Sequence, residues 1–218
     1  MIERLKLWMD DVVRDGPVNM AVDEWLLNTA TEPVLRVYRW EENWGSYGYF
    51  VPDEEAAAAL VGLKRVRRWT GGGIVDHRSD WTYSLVLPRG ESLAESRGAE
   101  SYRVIHLALA EALRGAGLAC EVSEATEIPP GGECFKKAVE HDLMDGHGKK
   151  IAGAGQRRTT QGLLHQGSLA IGGDEALAQR LADALASRVI ATMISPDDRA
   201  LSDILVERYS TEQWRARR

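Results

Sequence analysis

Residues 67–84 read RRWTGGGIVDHRSDWTYS. Glycine loses more backbone freedom on folding than any other residue. A run of three is retained where the chain must bend sharply, or where something comes too close for a Cβ. The basic segment before it, KRVRRW (64–69), and the segment WTYSLVLP (81–88) after it both read as strands. The glycines therefore sit in a turn entered from one strand and left towards another. No Gly-Lys-Ser/Thr follows, so this is not a P-loop. The glycines are contiguous and do not open a helix, so it is not a dinucleotide fingerprint. Two readings remain: a cradle of backbone amides for an anion, or a tight bend with close strand packing. His77, four residues past the last glycine, is a candidate for binding or positioning.

The rest of the chain alternates helix and strand signals. NMAVDEWLLNTA (19–30) reads as a helix capped by Asn19. VLRVYRW (34–40) reads as a strand, and PDEEAAAAL (52–60) as a helix stopped at Gly62. Residues 99–117 form the clearest amphipathic helix, and LACEVSE (118–124) a strand. A Pro/Gly loop spans 125–133, and a hairpin is expected around Gly146–Gly148. A strand over 163–171 and a helix over 174–187 follow. No repeat or interdomain linker is evident. The order mixes hairpins and crossovers, which predicts one domain over 1–218 of α+β (mixed α/β) class.

The formal charge of −6 argues against a general nucleic-acid binder. Its sign is uneven. Lys64, Arg65, Arg67 and Arg68 precede the glycines, and Lys136, Lys137, Lys149, Lys150, Arg157 and Arg158 form a second basic region. Local basic patches on an acidic chain suit an anionic substrate or an acidic partner. No apolar run is long enough to cross a bilayer. The first residues, MIERLKLWMDD, do not resemble a signal peptide. With only Cys120 and Cys134 there is no disulfide framework, and the expected compartment is the cytoplasm. The histidines lack metal-type spacing with cysteine, so no zinc site is expected.

Two further residues carry chemistry. Lys150 lies in GKKIAGAGQRR, where strand alternation turns one of Lys149 and Lys150 inward. An inward lysine among small residues can meet a carbonyl or phosphate, or help deprotonate a nucleophile; an exposed strand lysine is the plainer alternative. Cys134 follows the Pro/Gly loop and precedes Lys136 and Lys137, conditions that favour a thiolate; a buried inert thiol is the alternative, and Cys120 fits that better.

RRWTGGGIVDH, GKKIAGAGQRR and LLHQGSLAI, in that order, resemble the biotin/lipoate protein ligase family, as do NMAVDEWLL and LRVYRW upstream. The likeness covers roughly residues 15–175. The family fold is a mixed β-sheet flanked by helices around a tunnel for an acyl chain. The segment CFKKAVEHDL places Cys134 eight residues before Asp142-Leu143, and TYS stands at 82–84. Both features resemble the ligase-like octanoyl-[acyl-carrier-protein]:protein N-octanoyltransferases. The chain departs from that branch at Gly73, where arginine is usual, and at Gln166, where histidine is common.

The resemblance implies a Cys134 thioester intermediate, with Lys150 as its catalytic companion. It implies that Arg67, Arg68, Gly71, Gly72, Gly73, His77, Tyr83, Gly153, Gln166 and Gly167 bind substrate. Octanoyl-acyl carrier protein would be the donor, docked at Lys64 and Arg65, and a lipoyl domain or glycine-cleavage H protein the acceptor. Neither nucleic acid, membrane, metal nor cofactor would be involved. The alternatives are an ATP-dependent lipoate–protein ligase, using ATP and Mg, a lipoyl amidotransferase, and a non-catalytic protein that binds acyl groups or lipoyl domains.

Overall fold

The computed structural model describes residues 1–124 and 140–217. In chain order the elements are β1 (Ile2–Arg14), α1 (Gly16–Thr29), β2 (Val34–Trp40), β3 (Trp44–Tyr47), α2 (Asp53–Ala59), β4 (Lys64–Arg67), β5 (Ile74–Asp76) and β6 (Trp81–Pro88). Then come α3 (Ser92–Glu95), α4 (Gly98–Gly115), β7 (Cys120–Val122), β8 (Leu143–Asp145), β9 (Lys150–Thr159) and β10 (Gly162–Leu169). The chain continues through α5 (Glu175–Leu185), β11 (Ala186–Ala191) and α6 (Asp198–Ile204), a π-helical turn at Leu205–Tyr209, and α7 (Glu212–Arg215).

Two sheets result. The larger has strand order β11-β1-β2-β6-β10-β9-β8-β7, and the smaller β4-β3-β5. β1 runs parallel to both β11 and β2, and the successive pairs β2-β6, β6-β10 and β10-β9 are antiparallel. This is the mixed sheet with flanking helices that the sequence implied.

Register decides which side chains share a face. Arg36, Ser84, Gln166 and Gly155 are aligned across β2-β6-β10-β9, and so are Tyr38, Thr82, Ser168 and Gly153. Alternation puts these eight on one face. Leu35, Leu85, His165 and Gln156, with Val37, Tyr83, Gly167 and Ala154, take the other. The second face packs on α4 and α5. Ile105, Leu109 and Leu113, one helical turn apart along α4, are fully buried against Leu35, Leu85 and Leu87. Each such side chain contributes roughly 1.5–3 kcal/mol. The first face carries α1, α6 and the smaller sheet, through Met20, Leu26, Val86, Leu164, Trp44, Val66 and Leu201.

Helix α1 begins three residues earlier than the sequence suggests. Asp15, not Asn19, is the cap, accepting from the Val18 amide at 2.8 Å just before Pro17. Asn19 lies inside the helix and is buried, donating to the Arg14 and Arg39 carbonyls. Its side-chain oxygen accepts from Arg36 at 2.8 Å. Arg36 is itself fully buried between Asp10 and Asp23, at 2.8 and 2.7 Å. Removing one member of such a buried set costs about 3–5 kcal/mol. α1 is thereby fixed over the first face.

Candidate active site

The glycine turn joins β4 to β5 and lies on the first face. The Gly48 amide donates to Gly73 O at 3.0 Å, the Tyr49 amide to Thr70 O at 2.9 Å, and the Gly71 amide to Gln156 O at 3.4 Å. Arg68 donates from beneath to Gly73 O at 2.8 Å and Gly71 O at 3.3 Å, and to Ser46 Oγ at 2.6 Å. Gly72 has φ +87°, which L side chains rarely adopt. A Cβ on Gly48 would lie 1.9 Å from Gly72 O, and one on Gly155 2.3 Å from Gly71 O. What comes close to the turn is backbone from β3 on one side and β9 on the other. Close strand packing accounts for the bend, while a Cβ on Gly71 would meet no described atom within 4 Å. Among the described residues that position is open.

Lys150 is buried and Lys149 exposed, as alternation requires. The Lys150 ammonium is 2.7 Å from Asp142 Oδ2. It folds back over Gly153, where a Cβ would lie 2.6 Å from Lys150 Cε and 2.7 Å from Nζ. Gly153 therefore makes room for the ammonium on the turn's side of the sheet. Asp142 is held in turn: Tyr102 OH donates to its Oδ1 at 2.6 Å, and the Ala154 amide donates to that phenol oxygen at 3.0 Å. Burial and the Asp142 carboxylate push the Tyr102 phenol well above its ordinary range, so it stays a donor. Tyr102 packs against His106, one turn along α4, with ring centres 4.1 Å apart and planes tilted by 35°. Burial pushes His106 down to about 4 and His165 well below its ordinary value, so both are neutral. His106 Nδ1 then donates to His141 O at 2.7 Å, which fixes the residue preceding Asp142.

Gln166 bridges α1 to the turn. It donates to Asp23 Oδ2 at 2.7 Å and accepts from Thr70 Oγ1 at 2.7 Å. His77 stacks on Trp40 at 3.8 Å and lies 2.6 Å from Ser46 Oγ and 2.8 Å from Asp80 Oδ2. Asp80 Oδ2 also accepts from Ser168 Oγ at 2.6 Å, and Ser168 pairs with Gly153. A cleft of about 360 Å³ opens beside His77, walled by Tyr38, Trp40, Asp80, Trp81 and Gly173.

The structure thus brings Gly71, Gly72, Gly73, Arg68, Gln166, Gly153, Lys150 and His77 to one face. It does not bring Tyr83 and Gly167 there. They pack on each other across the opposite face, where a Cβ on Gly167 would meet the Tyr83 ring at 2.2 Å. Arg67 has its guanidinium engaged elsewhere, by the carbonyls of Tyr49, Val51, Arg215 and Arg217 at 2.7–2.9 Å. It ties the C-terminal segment to β4 instead of reaching into the site. Arg65 is bidentate on Asp53 at 2.9 and 2.7 Å, and Lys64 lies 5.5 Å over the Trp44 ring. Neither Arg65 nor Arg67 is therefore a loose surface cation. Cys134 lies outside the described residues. Asp142 and Tyr102 were not singled out as site residues. Tyr102 and His106, four apart and so neighbours on one side of α4, were the available signal.

The lipoyl protein ligase A/B catalytic domain profile matches residues 15–215. The chain belongs to that family. A Macrococcus caseolyticus protein named Octanoyltransferase LipM is 33% identical over 169 residues, covering 69% of this chain and 60% of the relative. The Brevibacillus brevis protein of the same name is 28% identical over 264 residues, covering 92% and 95%. With Staphylococcus aureus LipM the match is 32% identical and spans 62% of the relative's length. The T. acidophilum protein Ta0514 with bound lipoic acid superposes with a TM-score of 0.76 at 22% identity, covering 99% of this chain and 100% of that one. A lipoate-protein ligase A bound with ATP gives 0.74 at 21%, covering 99% of each chain. These similarities establish the lipoyl ligase fold, within which the glycine turn and Lys150 share one face of the larger sheet.

Proposed function

We propose that this protein is an octanoyltransferase, which moves an octanoyl group from acyl carrier protein to a lysine of a lipoyl domain or glycine-cleavage H protein. The observation that carries the reading is Lys150. Its buried ammonium, set by Asp142 and by the space over Gly153, shares a face with the glycine turn. Cys134 lies eight residues before Asp142 in sequence. The relatives named Octanoyltransferase LipM support the same reading.

The Cys134 thiolate attacks the thioester carbon of the octanoyl donor, and the carrier thiolate leaves and takes up a proton. One thioester replaces another, so no nucleotide is required. The acceptor's neutral lysine amine then attacks the acyl-enzyme, loses a proton, and expels the Cys134 thiolate. Forming an amide from a thioester runs downhill, and dividing the transfer lowers each barrier. Lys150 donates to the acyl oxygen as charge develops there, a role worth on the order of 10²–10³ in rate for one well-placed donor. The open side of Gly71 gives the acyl group passage beside the turn. Residues 1–218 act as one catalytic domain, in the cytoplasm where the carrier resides. The E2 lipoyl domain studied with the T. acidophilum bipartite ligase is the kind of acceptor intended.

Intact mass spectrometry after mixing with octanoyl-acyl carrier protein, without nucleotide, tests this. An octanoyl adduct that disappears in Cys134→Ala is expected. Transfer that needs ATP, releases pyrophosphate and survives Cys134→Ala would overturn it in favour of a ligase.

A further inference from the structure

We propose that Arg157, Arg217 and Phe50, set on the rings of Tyr49, Trp69 and Trp214, form the docking surface for the acidic carrier protein that delivers the acyl thioester. The partner's identity rests on the transferase reading; the surface itself does not.

The Arg157 guanidinium lies 4.8 Å from the Trp69 ring centre and 5.4 Å from that of Tyr49. Arg217 lies 4.7 Å from Tyr49 and 5.8 Å from Trp214. The neighbouring Arg208 stands over Trp69 and Trp214 and is paired with Glu24 at 3.0 Å. Among the described residues neither Arg157 nor Arg217 has a carboxylate within ion-pair distance. Phe50 is 83% exposed and edge-on to Tyr49 at 4.9 Å. Guanidinium groups held over aromatic rings can still offer N–H groups to a partner's carboxylates and lose little freedom on binding. Arginine and aromatic residues are also those that dominate interface energies. A chain of net charge −6 repels an acidic partner overall, so a local cationic face has to steer the encounter.

Spacing selects the donor over the acceptor. Arg157 and Gly153 lie on the same face of β9, four residues and thus about 13 Å apart. The Lys150 ammonium rests over Gly153. An acceptor must bring a lysine side chain, several times shorter than the carrier's prosthetic arm, directly to the acyl group. A carrier protein can sit back by up to the length of its arm, and the patch, about 13 Å from Gly153 along β9, lies within that reach.

Calorimetric titration with holo-acyl carrier protein at low salt tests the surface. Arg157→Glu and Phe50→Ala are each expected to weaken binding at least tenfold, and Arg157→Glu to flatten its salt dependence. Arg188→Glu, exposed on β11 at the far edge of the sheet, should leave it unchanged. Phe50→Ala removes only an exposed ring and decides the matter if Arg157→Glu fails to fold. Unchanged affinity in the folded variants overturns the proposal, as does weakened binding of a lipoyl domain with carrier binding intact. Acylation of Cys134 by the small thioester octanoyl-N-acetylcysteamine is measured alongside. Its failure in the wild type sinks the transferase reading, while the titration still decides whether this surface binds the carrier.

Discussion

Gly153 and Gly155 sit two residues apart on the same face of β9, yet alanine at the two positions should do different harm. At Gly153 the new methyl would lie 2.6 Å from Lys150 Cε and 2.7 Å from Nζ, and 3.2 Å from Asp142 Oδ1. The atoms in the way are mainly the far end of a flexible side chain. The ammonium has to move by roughly an ångström or more to reach ordinary contact distance, which breaks its 2.7 Å approach to Asp142. Alanine also recovers about 0.5–1 kcal/mol of backbone entropy relative to glycine. Both charged groups remain, so folding stability should fall by less than the roughly 3–5 kcal/mol that removing one partner of a buried pair costs, while the transfer rate falls on the order of 10²-fold, the cost of an ångström of misplacement in a catalytic group.

At Gly155 the methyl would lie 2.3 Å from Gly71 O and 2.9 Å from Gly71 C, backbone atoms of a residue whose amide donates to Gln156 O and whose carbonyl accepts from Arg68. The turn must lift off the strand, at a cost of about 3 kcal/mol, the upper end of ordinary overpacking. For a chain of this size that is a fall in melting temperature of roughly 6–12 °C. Thermal melts and single-turnover acylation of Cys134 separate the two outcomes. If Gly153→Ala transfers within threefold of wild type, the Lys150 ammonium is not held where the reaction needs it. If Gly155→Ala melts like wild type, the turn is not packed on β9 as described.

His106 makes stability pH-dependent. Its unfolded imidazole titrates near 6.5 and the buried one near 4, because burial penalises the charged form. Stability is full above pH 6.5 and falls through the window from 6.5 to 4, by up to about 3 kcal/mol from this residue. His106→Phe should flatten that slope in urea titrations at successive pH values, and an unchanged slope would refute the assignment. Arg67→Ala should lose at least about 3 kcal/mol, since four carbonyls lose a charged donor. It should also raise hydrogen exchange over residues 205–217, and persistent protection there would show that another contact holds the segment.

Much of the local architecture was readable beforehand. The strands at 34–40 and 81–88 fall where β-branched and aromatic residues crowd, and α4 follows its apolar stripe to within two residues at each end. β1 and β11 went unassigned, although Leu5, Leu7 and Met9 alternate. The pattern breaks at Asp11, Val12 and Val13, and the parallel pairing of β1 with β2 and β11 has no hairpin turn to announce it. The glycine run was recognisable as a close approach, but not what approached. The cap of α1 was misplaced because Asn19 is a good capping residue by type, yet is needed inside the helix by Arg36.

The order of residues along the chain settled whatever depends on neighbours a few positions apart: helix faces, strand alternation, the bend at three glycines, and the ordered motifs that mark the family. Only the tertiary structure decided which buried polar group meets which. Arg67 finds the carbonyl of Arg217, 150 residues away, and Gln166 finds Asp23 across 143. Such partners are chosen by how the sheets and helices stack, since a buried donor must take the acceptor that packing places within reach, and nothing local records where that acceptor will come from.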